Sequence, residues 1–378
     1  MTMIGLKRTS QSNLDANKIT NQVRKSLRVL FPDSNSAGDY DVLVRQTGLL
    51  IAPRIGSSVA MTSDFYYKML AVLEVALWPA VQLQHPLVMQ LKSLPHEDWN
   101  KSRGFFFPWL VGASKRLRTT EQEEILYAQQ KGKFRLMSNI EMPLNQHMTI
   151  NGQTGSGKSY LLEQLLSVFD AVGKVILIDG KLSDGARWAR NHKNVELIKP
   201  HIADGSTGSS IGSDLLEAVN DRLNQLEATM YSRQEKLFNQ DKISVDYKAL
   251  NVEPIFLVID ELAALTIGAS RQSKQDFFDH LTRLSLLARE SGIVLVLSLQ
   301  QARNDALPTA VRAQMGIKVL LGSLDKDNTQ FLFPNLDNVP FLPEDGPGKG
   351  IISIAGSRKY KGVLPIATPT IEGSDING

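Results

Sequence analysis

Six short apolar runs, separated by stretches with helical periodicity, follow one another after Met142 and constrain the fold more than any other feature of this 378-residue chain. They are HMTIN (147–151), VILID (175–179), IFLVID (255–260), IVLVLSL (293–299), IKVLL (317–321) and GIISI (350–354). Runs that are apolar on both faces cannot line a half-solvated sheet. Alternating with helices, they predict an α/β fold with a mainly parallel sheet covered on both sides. Between the second and third runs, Leu215, Val219, Leu223, Leu226 and Met230 keep the helical interval. Ser213 is expected to cap that helix and Asp214 to sit in its first turn, after a loop over ADGSTGSSIG (203–212).

The front of the chain reads differently. Residues 1–115 are expected to form a smaller mixed α/β domain, with Lys18, Arg24, Lys25 and Arg28 along one face of a short helix. LRVLF and DVLVRQTGLLIAPRI read as two strands around the turn-rich PDSNSAGDYD, followed by a helix over Met61–Leu94 broken at Pro79 and Pro86. Residues 116–141 read as a joint, 142–365 as the main domain and 366–378 as a tail. The aromatic run Phe105 to Trp109 is expected to pack at the joint, with stacking on nucleotide bases as the alternative.

Charge and composition narrow the function classes. Residues 1–150 carry 18 Lys and Arg against 12 Asp and Glu, whereas the rest carries 24 against 27. A basic front suits a polyanion or an acidic surface, and equally plain solvation. Cysteine is absent, which excludes disulfides, thiolate zinc sites, iron–sulfur clusters and cysteine nucleophiles, and fits a reducing compartment. The most apolar stretch, Met69 to Leu91, is interrupted by Glu74, Pro79, Gln82, Gln84, His85 and Pro86, so no membrane span is expected; nor is a secretory leader.

The chemistry-bearing motif follows the first apolar run. Gly152, Gln153, Thr154, Gly155, Ser156, Gly157, Lys158 and Ser159 match G-x-x-x-x-G-K-[ST], and an apolar helix begins at Tyr160. Glycines let successive N–H groups curl around a phosphate, and the helix start adds its positive end. Lys158 supplies a charge for the β- and γ-phosphates of ATP, and the Ser159 hydroxyl can ligate Mg²⁺. The run IFLVID closes on Asp260 and Glu261. Asp260 is placed to orient water on Mg²⁺, and Glu261 to polarise a water for in-line attack on the γ-phosphate. Gln300, ending IVLVLSL, can sense the attacking water or the γ-phosphate, or simply cap its strand.

Taken together, GQTGSGKS, VILIDGKLSD, IFLVIDELA, LLARESGIVLVLSLQQAR and GKGIISIAG resemble the FtsK/SpoIIIE family of DNA-translocating ATPases, from about Met142 to Ile354. The resemblance rests on this order, on Lys181 two residues past Asp179 and on an arginine soon after the strand-end glutamine. It implies a RecA-like P-loop NTPase motor that assembles as a ring, commonly a hexamer, and moves DNA with ATP. An arginine reaching the neighbouring subunit's γ-phosphate is then expected, with Arg289 and Arg312 as candidates beside ordinary solvation or ion pairing. DNA would be gripped through its phosphates by Arg303, with Arg233 and Lys236 as second choices. Glu290-Ser291-Gly292-Ile293 departs from the family's usual G-R-A-x-G-I, and the family's membrane spans and winged-helix module are not expected here. The compact form is more similar to FtsK-like proteins of mobile elements, such as TcpA-type conjugative coupling proteins. That implies a cytoplasmic DNA-dependent ATPase in plasmid or integrative-element transfer, reaching a relaxase or membrane channel through its front domain. A replication or packaging ATPase, and an ATP-gated DNA-binding scaffold, are the alternatives.

Overall fold

The computed structural model describes residues 14–28, 30, 40–53, 62–97, 102–202, 208–300, 307–336, 339–340, 342 and 346–372, and the chain divides into two compact units between Ser114 and Lys115. In the first unit, α1 (Ala16–Leu27) starts where the Asp15 carboxylate accepts the amide hydrogens of Asn17 and Lys18, and it buries Ile19, Val23 and Leu27 at four-residue intervals. The hairpin β1 (Tyr40–Arg45) and β2 (Gly48–Pro53) precedes α2 (Ser63–Leu77). Three strands complete the unit: β3 (Val81–Leu83), β4 (Leu91–Ser93) and the long β5 (Arg103–Val111). All pair antiparallel, with β2 on one side of β5 and β3 and β4 along the other.

Several expectations for this unit change. DVLVRQTGLLIAPRI supplies a complete hairpin by itself, turning at Gln46-Thr47, whereas Leu27 ends α1 and much of the intervening segment lies outside the described residues. The helix expected over Met61–Leu94 stops at Leu77, because the proline at 79 cannot continue it and the following residues pair with β5. The aromatic run belongs to the central strand. Phe105 and Phe107 are fully buried there, the Tyr66 ring stacks on Phe107 at 4.7 Å, and the Tyr66 hydroxyl donates to the Phe106 carbonyl. Burial pushes that phenol above its ordinary range.

The second unit opens with β6 (Arg118–Thr120), α3 (Glu121–Lys131) and the hairpin β7 (Lys133–Met137) and β8 (Ile140–Pro143). Residues 116–141, read above as a joint, are therefore structured within this unit. Thr120 and Glu123 form a reciprocal capping box, and the buried Glu124 pairs with Arg135 at 2.6 Å. The chain continues through β9 (Met148–Gly152), α4 (Lys158–Val172), β10 (Lys174–Asp179), α5 (Asp184–Ala189), β11 (Val195–Ile198) and the long α6 (Gly208–Phe238). After a 3₁₀ turn (Tyr247–Leu250) come β12 (Ile255–Asp260), α7 (Leu262–Leu265), α8 (Arg271–Leu287) and β13 (Ile293–Leu299). The unit closes with α9 (Thr309–Gln314), β14 (Ile317–Leu321), α10 (Lys326–Leu332), β15 (Lys349–Ile354), β16 (Val363–Ala367) and β17 (Thr370–Glu372).

The main sheet runs β11-β10-β12-β13-β9-β14-β15-β16, with β11 through β14 parallel and the last two strands antiparallel. All six apolar runs became strands of it. From β9 the chain moves through α4 and α5 toward β11, then returns through α6, α8 and α9 toward β14. Right-handed crossovers in opposite directions place these two helix sets on opposite faces. Accordingly α4 contacts α3 and α5, while α8 contacts α6 and α9.

Two boundaries shift. The long helix begins at Gly208, so Ser213 lies inside it rather than capping it, and 208–212 is helix; residues 203–207 lie outside the described set. The expected tail is ordered as far as Glu372, because β17 pairs in parallel with β6. Among the described residues, no helix is long and apolar enough to cross a membrane.

His147 enters the sheet just ahead of β9, its Nδ1 accepting the Leu295 amide at 3.0 Å. Burial, reinforced by the Arg289 charge, pushes this imidazole down to about 4. Below pH 6.5 the unfolded ring takes up a proton that the folded ring refuses, so stability is present above that pH and is lost as pH falls toward 4. By pH 5 the loss from this group is about 2 kcal/mol. Urea denaturation of the wild type and His147→Gln at pH 7 and 5 checks this: the variant, which keeps an acceptor but does not titrate, is expected to lose less stability by that amount.

Candidate nucleotide site

Parallel strands deliver their carboxyl ends to one edge of the sheet, and a ligand crevice forms there, beside the strand at which the order reverses direction. Here that strand is β9, whose last residue, Gly152, leads into the phosphate loop. Gln153, Thr154 and Gly155 are exposed at the loop tip, and Gly155 has φ +79°. Gly157 is required by two constraints. Its φ is +88°, and a Cβ there would meet the Gly348 backbone nitrogen at 2.6 Å.

That close approach belongs to a clamp behind the loop. The Gly348 amide donates to the Ser156 carbonyl at 2.7 Å, the Thr368 amide donates to the Gly348 carbonyl, and the Arg116 guanidinium donates to the Pro347 carbonyl. Ser156 is buried and its hydroxyl has no hydrogen-bond partner among the described residues. Ser159 is exposed in the first turn of α4. Tyr160, next to it, is half-buried, and its hydroxyl accepts the Ile371 amide at 2.9 Å, so its ring ties α4 to β17.

Lys158 points inward and is only 6% exposed. Its ammonium donates to the Ser298 hydroxyl at 2.7 Å and lies 3.5 Å from Asp260 and 4.0 Å from Glu261. Ser298 sits on β13, between β12, which ends at Asp260, and β9, which leads through the phosphate loop to Lys158, and its hydroxyl donates to Asp260 at 3.0 Å. A lysine from one side and a carboxylate from two strands away thus meet through a single buried hydroxyl. Glu261 follows with φ 62°, a left-handed conformation that costs a non-glycine residue roughly 1 kcal/mol or more. The Gln300 amide donates to its carboxylate at 3.4 Å, which brings the backbone of the predicted sensor to the predicted catalytic carboxylate.

The structure gathers further residues that carried no site role in the sequence reading, although Asp179 and Lys181 belong to the resembling stretch. Asp179 is fully buried at the end of β10, in register with Asp260, and accepts the amides of Lys181, Ser183 and Ala186. Ser183 Oγ stands within hydrogen-bond reach of both Asp179 and Asp260, and its single proton serves one of them at a time. Lys181 reaches Glu261 at 3.4 Å. The available signal was the pattern itself: VILID ends an apolar strand on a carboxylate just as IFLVID does. On α4, Glu163 is held above the usual carboxylate range by burial, with the Asp184 and Asp260 charges adding to it.

Among the described residues, the remaining candidates are not gathered at this crevice. Arg289 is exposed near the start of β13, at the sheet edge opposite the phosphate loop. Arg312 lies on α9, stacked 4.3 Å over Phe331. Arg233 is half-buried and donates to the Ser291 carbonyl at 2.9 Å, tying α6 to the turn before β13; burial lowers its guanidinium's affinity for its proton. Lys236 is exposed one turn later on α6, and Arg303 lies outside the described residues.

An exposed hydroxyl at Ser159 and a buried carboxylate at Asp260 are hard oxygen donors of the kind Mg²⁺ prefers. No group of three or more His, Cys, Asp and Glu poised to hold a metal occurs among the described residues. Gly157→Ala is expected to lower folding stability by about 2 kcal/mol or more, through the positive φ and the collision with Gly348, and to abolish nucleotide binding. Thermal unfolding and binding of a fluorescent ATP analogue check both outcomes.

A family model described as an AAA domain matches residues 144–307. The FtsK domain-containing protein YdcQ of Bacillus subtilis is 22% identical over 240 residues, covering 63% of this chain and 47% of that protein. The DNA translocase FtsK of Tropheryma whipplei is 29% identical over 194 residues, covering 49% of this chain and 25% of the relative. The chain thus spans half or less of the length of these two relatives. Among solved structures, the pCW3 conjugation coupling protein TcpA, in a monomer form with ATPγS, superposes with a TM-score of 0.50 at 14% identity, covering 93% of this chain and 95% of that one. The mainly parallel sheet, the phosphate loop with its buried lysine, the carboxylates that end and follow β12 and the AAA-domain match agree on an ATPase of the P-loop NTPase fold, similar in sequence to FtsK-domain proteins.

Proposed function

We propose that this protein is an ATP-driven DNA translocase that serves transfer of a plasmid or integrative element. The observation that carries the ATPase part is the buried array of Lys158, Ser298, Asp260 and Glu261 at the mouth of the phosphate loop. Without phosphates, Lys158 is satisfied by Ser298 and the carboxylates. On binding, its ammonium moves to the β- and γ-phosphates, because their charge is greater and the loop amides hold them beside it. Ser159 and Asp260 would hold Mg²⁺, which when bound neutralises charge developing on the phosphates. Glu261 accepts the proton of the attacking water, and Gln300, whose amide already contacts Glu261, orients that water or the γ-phosphate.

DNA as the track is supported by the FtsK relatives, and element transfer by the likeness of fold to a conjugation coupling protein over nearly the whole chain. A motor indifferent to sequence grips phosphates, so Lys236 and Arg303 are the proposed contacts; Arg233 is the weaker choice because its guanidinium is engaged with Ser291. Arg289 and Arg312 are the proposed arginines acting on a neighbour in a ring. Relaxase, transfer channel and hexamer are parts of the same proposal.

Lys158→Ala is expected to abolish ATP binding, whereas Glu261→Gln retains ATP and loses hydrolysis by about a hundredfold or more. Calorimetry and phosphate release separate the two; Glu261→Gln turning over ATP at the wild-type rate overturns the assignment of that carboxylate. Long duplex DNA is expected to stimulate turnover, with affinity falling steeply between 50 and 200 mM salt, about tenfold or more if several phosphates are held. Turnover indifferent to DNA would identify a nucleotide-gated scaffold instead.

A further inference from the structure

We propose that Lys181 is a positioning residue for the Glu261 carboxylate, holding it in place once Lys158 has moved onto the phosphates; this rests on the ATPase reading of the site. Asp179 and Asp260 end adjacent parallel strands in register, so the residues just beyond them face one another. Both turns leave the sheet through left-handed, non-glycine residues, Leu182 at φ 56° and Glu261 at φ 62°. Strain of this kind persists only where surrounding bonds over-determine it. On the β10 side those bonds come from Asp179, which accepts the amides of Lys181, Ser183 and Ala186 and so fixes the backbone from which the Lys181 side chain extends. Packing closes the same gap: a Cβ at Gly180 would lie 3.3 Å from Leu265 and 3.5 Å from Ala264 on α7, directly after Glu261.

Glu261 is 6% exposed, and one of its oxygens, Oε2, has no hydrogen-bond partner among the described residues. Two ammonium groups face that oxygen, Lys181 at 3.4 Å and Lys158 at 4.0 Å. A triphosphate draws Lys158 away, and Lys181 is then the cation left on Glu261 among the described contacts. Its side chain is 42% exposed, so it is free to follow the carboxylate as the water is engaged. The charge acts on Glu261 and not on the nucleotide, which separates its effect on turnover from any effect on binding.

The test uses the full chain in steady-state ATP turnover and in direct ATPγS binding. Lys181→Met, which keeps the aliphatic stem, is expected to lower kcat by about tenfold or more while KM and ATPγS affinity stay within about twofold. Lys181→Arg, which keeps the charge, is expected to recover most of the rate. Thermal unfolding of all three proteins is expected to coincide. An unchanged kcat in Lys181→Met overturns the proposal. So does a parallel loss of affinity and rate that Lys181→Arg does not restore, since that is the mark of a structural role. If the unmodified chain binds no ATPγS and hydrolyses no ATP, the nucleotide reading itself fails, and this proposal falls with it.

Discussion

A buried ammonium held between carboxylates is the interaction on which the rest of this structure turns. Lys158, Asp260 and Glu261 are each less than one-tenth exposed, and removing one partner from such a group leaves a desolvated charge that costs about 3–5 kcal/mol. Charges are tolerated at this depth because the Ser298 and Ser183 hydroxyls stand against Asp260, the Gln300 backbone amide donates to Glu261, and the Lys158 ammonium itself donates to Ser298.

Everything around the array serves to keep its members in register. The parallel pairing of β10 with β12 sets Asp179 beside Asp260, and β13 inserts Ser298 between β9 and β12. Behind the phosphate loop, the contact of Gly157 with Gly348 fixes the height of the loop above the sheet, and Arg116, Thr368 and Tyr160 tie it to the segments that open and close the second unit. Residues far apart in sequence, from 116 to 371, are thereby made part of the nucleotide site's support.

The same logic separates residues that face the site from those committed to the fold. Arg233 is a cation by type, yet its guanidinium is a tie between α6 and the turn before β13. His147 is a titratable group by type, yet burial makes it a neutral acceptor for a sheet amide. Tyr160 adjoins the phosphate motif, yet its hydroxyl binds the final strand.

What was legible beforehand was what local chemistry dictates. Runs apolar on both faces must be buried strands, and a glycine-rich turn ahead of a lysine and a serine suits a helix start that can face a phosphate; Lys158 and Ser159 were read from the second rule, and Asp260 and Glu261 from the carboxylates that close a buried strand. The helix expected past Pro79 failed because a long central strand, β5, was available to recruit the residues after it, and pairing with a strand distant in sequence leaves no local trace. Lys181, Ser183, Ser298 and Gly348 were invisible as site residues for a similar reason: each matters only because strand order and register bring it to a neighbour. Local chemistry was enough to mark residues of the kind that cradle a triphosphate. Which other side chains stand against them was a matter of folding, because a parallel sheet assembles its edge from the ends of strands that the chain visits at different times.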